Sequence, residues 1–161
     1  MSDITDITLD LIKDLQLDNH HETKIFPPDS NAYIQFTAGN VANQFGDWIE
    51  IKDNNEVSLS TVFADCEGAF SGILLENFSV IDKIYILEVG YGDGTIEGTI
   101  NVMRHRFSTG DTDKKVPAVN YVRINALMVP SGSTLYYRMK CETASANCEA
   151  SFRYHYHEHC E

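Results

Sequence analysis

Short apolar runs rich in β-branched and aromatic residues, punctuated by Gly, Asn, Asp and Pro from Tyr33 onward, predict an all-β sandwich or barrel. Two further observations support that class. The last two runs alternate strictly between apolar and polar residues, and no second helical periodicity follows the first segment of the chain. At 161 residues with 43% hydrophobic content, the chain is long enough for one domain with a full core. The organisation expected is an N-terminal arm over residues 1 to 32 and a β-sandwich domain over residues 33 to 161.

The arm begins with Ile4, Ile7, Leu11 and Leu15 at mixed spacings of three and four, which predicts a short helix over roughly residues 5 to 16. Ser2, Asp3 or Thr5 is available to cap it. Leu9, Ile12 and Leu17 widen its apolar surface, so it is expected to pack on something. Pro27-Pro28 then favours extended chain without ladder donors, and residues 18 to 32 read as a connecting arm. The strands expected after it are 33–37, 47–52, 57–63, 70–75, 83–90, 98–106, 119–127, 133–141 and 148–157.

Two of these regions can be read in more detail. In STLYYRMKC the residues Leu135, Tyr137, Met139 and Cys141 share one face, and in the final run Cys148, Ala150, Phe152, Tyr154 and Tyr156 do the same. Pairing Cys141 with Cys148 sets Tyr137 opposite Phe152 and Leu135 opposite Tyr154, giving a hairpin with one dry face. These four residues, Leu135, Tyr137, Phe152 and Tyr154, are the expected core register. The second region is IYILEVGYGDGTIEGTINVMRHR, where GYGDG reads as a turn or bulge between strands. A phosphate-cradling loop is not expected there, since no Lys-Ser/Thr and no helix pattern follow.

The formal net charge of −12 opposes binding to nucleic acid or to an anionic membrane surface, and leaves a basic or neutral protein surface as the expected partner. The N-terminal segment lacks both a positive flank and a continuous apolar core, so no ordinary signal peptide and no membrane span is expected. The chain should therefore be made in a cytosol and stay there until it assembles into something. Four cysteines, Cys66, Cys141, Cys148 and Cys160, are too sparse for a disulfide framework, and reduced thiols are the default. Cys141 and Cys148 read as two buried thiols, with a cross-strand bridge as the alternative.

The ending SFRYHYHEHCE places His155, His157 and His159 at every second position. On a strand their Cβ atoms fall about 6.6 to 7 Å apart on one face. The expected reading is an outward polar face, with a structural metal site as the alternative; no cofactor is expected. Carboxylates near Trp48 (Asp47, Glu50) and near the glycines (Asp93, Glu97) are expected to be turn and surface residues. No nucleophile motif or metalloprotease motif is present, so catalysis is not expected.

Three stretches resemble a group of tailed-phage virion proteins. They are Trp48 to Ile51, then Val89-Gly90-Tyr91-Gly92, then Val129-Pro130-Ser131-Gly132-Ser133 followed by Leu135 to Arg138 and the turn Thr143-Ala144-Ser145-Ala146. The resemblance covers about residues 46 to 157 and leaves the arm unmatched. Tyr136-Tyr137 stands where smaller residues are the pattern, and the histidine-rich end lies outside it. The resemblance implies a jelly-roll-like antiparallel β-sandwich serving as a particle component on the capsid surface or in the tail, without catalysis.

The function expected is a virion structural protein, first of all a capsid decoration or cement protein bound across major capsid subunits. Ile4, Ile7, Leu11 and Leu15 would dock on a neighbouring subunit, and a homotrimer suits a threefold position. A tail or baseplate component is the alternative. A carbohydrate-binding sandwich, with Tyr121, Tyr136 and Trp48 as a stacking platform, is the alternative from another class.

Overall fold

A computed structural model describes residues 23–95, 100–110, 121–123 and 128–157. The expected N-terminal helix with Ile4, Ile7, Leu11 and Leu15 lies outside the described residues, as do His159 and Cys160.

Among the described residues, ten strands form two antiparallel sheets. In sheet A, β10 (Asn147–Tyr156) and β4 (Gly68–Glu76) make the centre. The far side of β10 is covered first by β1 (Lys24–Phe26) and then by β2 (Ile34–Thr37). The far side of β4 is covered by β7 (Tyr121–Arg123) and β8 (Met128–Val129). Sheet B runs in the order β3 (Ile49–Glu50), β9 (Thr134–Cys141), β5 (Ile84–Gly92), β6 (Ile100–Ser108).

Each sheet thus has four rows of strand. The chain crosses to the other sheet at every connection between rows except β5 to β6, which is a hairpin. That winding, four rows over four with alternating crossings, is the jelly roll. The hairpin carries a register shift between Val89 and Tyr91, so the glycine-bearing stretch is a bulge, as its composition predicts.

Alternation along the strands builds the core. Leu135, Tyr137 and Met139 point inward from β9, Tyr85, Leu87 and Val89 from β5, and Phe152 and Phe70 from sheet A. Phe36 and Tyr137 meet across the sandwich with ring centroids 4.4 Å apart. The expected core residues Leu135, Tyr137, Phe152 and Tyr154 are all buried.

The expected hairpin between the last two strands is not formed. β9 pairs with β3 and β5, and β10 pairs with β1, β2 and β4, so the two strands lie in opposite sheets. Ala38 and Gly39 are inserted between them: Ala38 N donates to Ala146 O at 2.7 Å and Gly39 N donates to Met139 O at 2.9 Å. An apolar set on one face satisfies strands that face each other as well as strands that lie side by side, so the pattern does not distinguish the two.

Two other expectations are corrected. The strand expected at 57–63 is a 3-10 turn, Leu59–Phe63. Ser58 Oγ accepts from Ser60 N at 3.2 Å, and Thr61 Oγ1 donates to Ser58 O at 2.7 Å. Such local side-chain bonds give the backbone an alternative to a ladder. Leu59 and Phe63, four residues apart, are buried together. The sandwich also starts earlier than Tyr33, because β1 lies within the stretch read as connecting arm. Phe26 is buried opposite Phe152, and β2 takes over the same row after Pro27-Pro28.

Candidate functional site

The outer face of sheet B is built from residues of one parity. Facing away from the core are Tyr136, Arg138 and Lys140 on β9, Ile86 and Glu88 on β5, and Arg104 and Arg106 on β6. The register lays them out as a grid. Arg138, Glu88 and Arg104 stand abreast in one row, and Lys140, Ile86 and Arg106 in the next. Four of the chain's 12 Lys and Arg residues therefore share one face of a molecule whose net charge is −12.

Glu88 fixes this face. Its side chain is buried, and Oε2 accepts from Arg138 Nε at 2.6 Å while Oε1 accepts from Arg104 Nε at 2.7 Å and from Arg104 Nη2. Burial alone would raise its carboxyl. The hydrogen bonds and charges of Arg138 and Arg104 outweigh that and hold it below the ordinary carboxylate value. With both oxygens engaged by permanent cations, Glu88 is an anchor for guanidiniums and has no role as a base.

The loop between β2 and β3 brings aromatic rings onto the same face. Asn43 N donates to Cys141 O at 2.8 Å, which carries this loop along the edge of β9. Gly39 and Gly46 make the fold-back possible: a Cβ on Gly39 would lie 2.3 Å from Gln44 O and 2.7 Å from Gly46 N. The result places the Arg138 guanidinium carbon 4.7 Å from the centroid of Phe45 and 4.6 Å from that of Trp48. Lys140 Nζ lies 4.8 Å from the Phe45 centroid. The quadrupole of each ring attracts the cation, so charge and ring hold one another in place. Arg104, Arg106 and Lys140 remain accessible as donors along the face.

No family model, curated protein or solved structure matches the chain. The outer face of sheet B is therefore read from its own chemistry. A fixed array of guanidinium and ammonium groups beside aromatic rings can recognise carboxylates or other anionic groups on a partner surface.

The other sequence-predicted sites fare differently. His155 and His157 are neighbours with ring centroids 5.0 Å apart, as alternate strand positions require. Among the described residues, no group of three or more His, Cys, Asp or Glu side chains is placed to hold a metal ion. The aromatic platform of Trp48, Tyr136 and Tyr121 is not assembled. Trp48 lies against Arg138, Tyr136 is 5% exposed, and β7, which carries Tyr121, belongs to the other sheet.

Asp93 accepts from Thr95 N at 3.0 Å and Thr95 Oγ1 at 2.6 Å, bonds that lower its carboxyl, while Glu97 lies outside the described residues. An open trough of about 430 Å³ runs beside β3. Its polar groups are largely committed to the loop itself: Glu50 accepts from Ser58 Oγ, and Asp53 accepts from Asn55 N and Val57 N.

Sequence reading singled out Trp48 and Tyr136 but missed Glu88, Arg104 and Phe45. A signal for them existed. Glu88 is the one charged residue within IYILEVG, Arg104 and Arg106 stand at alternate positions in one strand-like run, and Arg138 and Lys140 do so in another.

Cysteine usage follows expectation at two positions and departs from it at a third. Cys141 and Cys148 are buried free thiols, in opposite sheets, so the cross-strand bridge is not made. Burial pushes the Cys148 thiol up, which keeps it protonated. Cys66, expected to be reduced, is disulfide-bonded.

Proposed function

We propose that this chain is a non-enzymatic virion structural protein, a capsid decoration or cement protein that docks across neighbouring major capsid subunits. The single observation that carries this reading is the cationic, aromatic-flanked outer face of sheet B on an otherwise acidic jelly roll. Arg, Trp and Phe are residue types that concentrate binding energy at protein interfaces. The face is rigid, because Arg138 is held by both Glu88 and the two rings, so little freedom is lost when a partner is bound.

The partner surface suited to it is acidic, which revises the expectation drawn from net charge alone. Long-range repulsion from the remaining acidic surface is screened beyond about 8 Å at physiological salt. Contact between complementary patches acts at shorter range and is screened less, though it too weakens as salt rises. Docking of Ile4, Ile7, Leu11 and Leu15 on a neighbouring subunit remains part of the proposal, as does a trimeric arrangement at threefold positions of the particle. The jelly roll is compatible with this role and with many others, so the fold is a setting for the proposal and does not carry it.

The test is co-sedimentation with capsids lacking the protein. Wild type should pellet with capsids and the Arg106→Glu/Lys140→Glu double variant should stay in the supernatant, both remaining folded by circular dichroism. Equal pelleting of the two would reject this face as the docking surface. Pelleting with isolated tails instead of capsids would move the protein to the tail.

A further inference from the structure

The trough beside β3 is bordered by a strand edge that is open on one side only. Across it, the edge of β2 is already tied: the Tyr137 hydroxyl donates to Gln35 O at 3.4 Å and accepts from Thr37 N at 3.2 Å, and Ile34 bridges to Asp53. On the near side β3 is the outermost strand of sheet B. Glu50 pairs with Tyr136 there, and Ile51 N donates to Leu135 O, so the alternation of an antiparallel ladder turns the N–H and C=O of Glu50 away from β9. Among the described residues, no group bonds them.

The side chains around that edge differ by face. Ile49 shares the core-facing side of sheet B with its partner Tyr137, yet it is 48% exposed. Glu50 stands on the opposite side, and both residues line the trough. The charged lining consists of Glu50, Asp53 and Glu56 against Lys52 alone. Lys52 Nζ lies 3.9 Å from Glu50 Oε2 and 3.7 Å from Glu56 Oε2. These are long contacts beside the roughly 2.8 Å of a charge-assisted hydrogen bond, so both carboxylates can take a second cation.

We infer that the trough docks an extended segment of a partner protein, which pairs with β3 as a further strand of sheet B and carries a Lys or Arg between two apolar residues. The residue opposite Glu50 exchanges both backbone hydrogen bonds with it, and its side chain stands beside the Glu50 carboxylate. The residues on either side of it turn to the core-facing side, where Ile49 is open to them. Two other occupants fit less well. Residues 1–22 of this chain carry six Asp and Glu against one Lys, so the acidic lining repels them. A sugar ring needs an aromatic face, and Tyr137 is 4% exposed. This site goes beyond the function proposed above and uses the opposite charge, so either can fail alone.

The experiment titrates the full chain into short fluorescent peptides in which valine alternates with lysine, or valine with glutamate, and reads anisotropy. The lysine peptide should bind saturably and the glutamate peptide should not. In the complex, hydrogen exchange at the Glu50 amide should slow. Glu50→Lys and Glu56→Lys should each weaken binding about tenfold or more. The Glu56 side chain is 84% exposed, so its variant reports on binding even where Glu50→Lys disturbs the fold. Arg106→Glu/Lys140→Glu should bind the lysine peptide at least as well as wild type, which separates this site from the cationic face. Absent binding, equal binding of the two peptides, or an unchanged Glu50 amide would overturn the inference. Displacement of the peptide by a neutral oligosaccharide would overturn it too. So would tighter binding of a peptide of residues 1–22, or self-association of the chain that Glu56→Lys abolishes, since either would give the trough to this chain itself.

Discussion

Glu88 is a buried carboxylate between two guanidiniums, Arg138 at 2.6 Å and Arg104 at 2.7 Å. Removing one partner of such a group leaves the remaining charges without their counterion, so Glu88→Ala should cost about 3 kcal/mol in denaturant unfolding. The folded carboxyl is held below its ordinary value of 4.5. Its ionised form therefore stabilises the fold at pH above 4.5, and that contribution is lost as pH falls through the folded pKa. Melting temperature followed from neutral to acid pH should fall more steeply for wild type than for Glu88→Gln. Parallel curves would mean that the carboxylate contributes no pH-dependent stability. At this scale the sequence was partly legible. Leu135, Tyr137, Phe152 and Tyr154 are buried as their alternation predicts, whereas the partners of Glu88 depend on strand order, which alternation does not encode.

Among elements, the 3-10 turn and β1 were the least visible in the sequence, and each suggests a test. Phe63 packs on Phe70 at 5.3 Å and on Tyr154 at 5.7 Å between ring centroids, and its carbonyl accepts from Gly132 N at 2.8 Å. Phe63→Ala should cost about 3 to 5 kcal/mol by the cavity it opens, and Ser58→Ala about 1 kcal/mol by loss of the cap. Equilibrium unfolding of both variants checks the order. In β1, Phe26 is 4% exposed and its neighbour Ile25 is 51% exposed. Phe26→Ala should therefore destabilise by about 3 kcal/mol and Ile25→Ala by under about 1 kcal/mol. Equal small effects would return Lys24–Phe26 to the status of a loose arm. The Lys-Ile-Phe run is too short to show alternation, and Pro27-Pro28 suggests a break where the chain only shifts from β1 to β2 along the same row. The Val129-to-Ser133 stretch was legible: Gly132 takes φ +77° and Ser133 N donates to Pro130 O at 3.3 Å, as a Pro-Gly turn before a strand requires.

For the whole molecule, composition predicted the class and most of the strands, while the assignment of each strand to a sheet came only from three-dimensional packing. β9 and β10 illustrate why: their matched apolar faces satisfy either neighbouring or opposed positions. Winding the chain between sheets gathers Arg104, Arg106, Arg138 and Lys140 on one outward face although they come from two separate regions of the sequence. Net charge averages this face away, which is why bulk electrostatics pointed to the opposite kind of partner. The central claim is that this face binds an acidic partner surface within a particle, and binding carried by such contacts weakens as salt screens them. The most direct measurement is capsid co-sedimentation across a salt series, comparing wild type with Arg106→Glu/Lys140→Glu. The account predicts wild-type binding that declines with rising salt and no binding by the variant at any salt. Binding by the variant equal to wild type, with the same salt dependence, would contradict it.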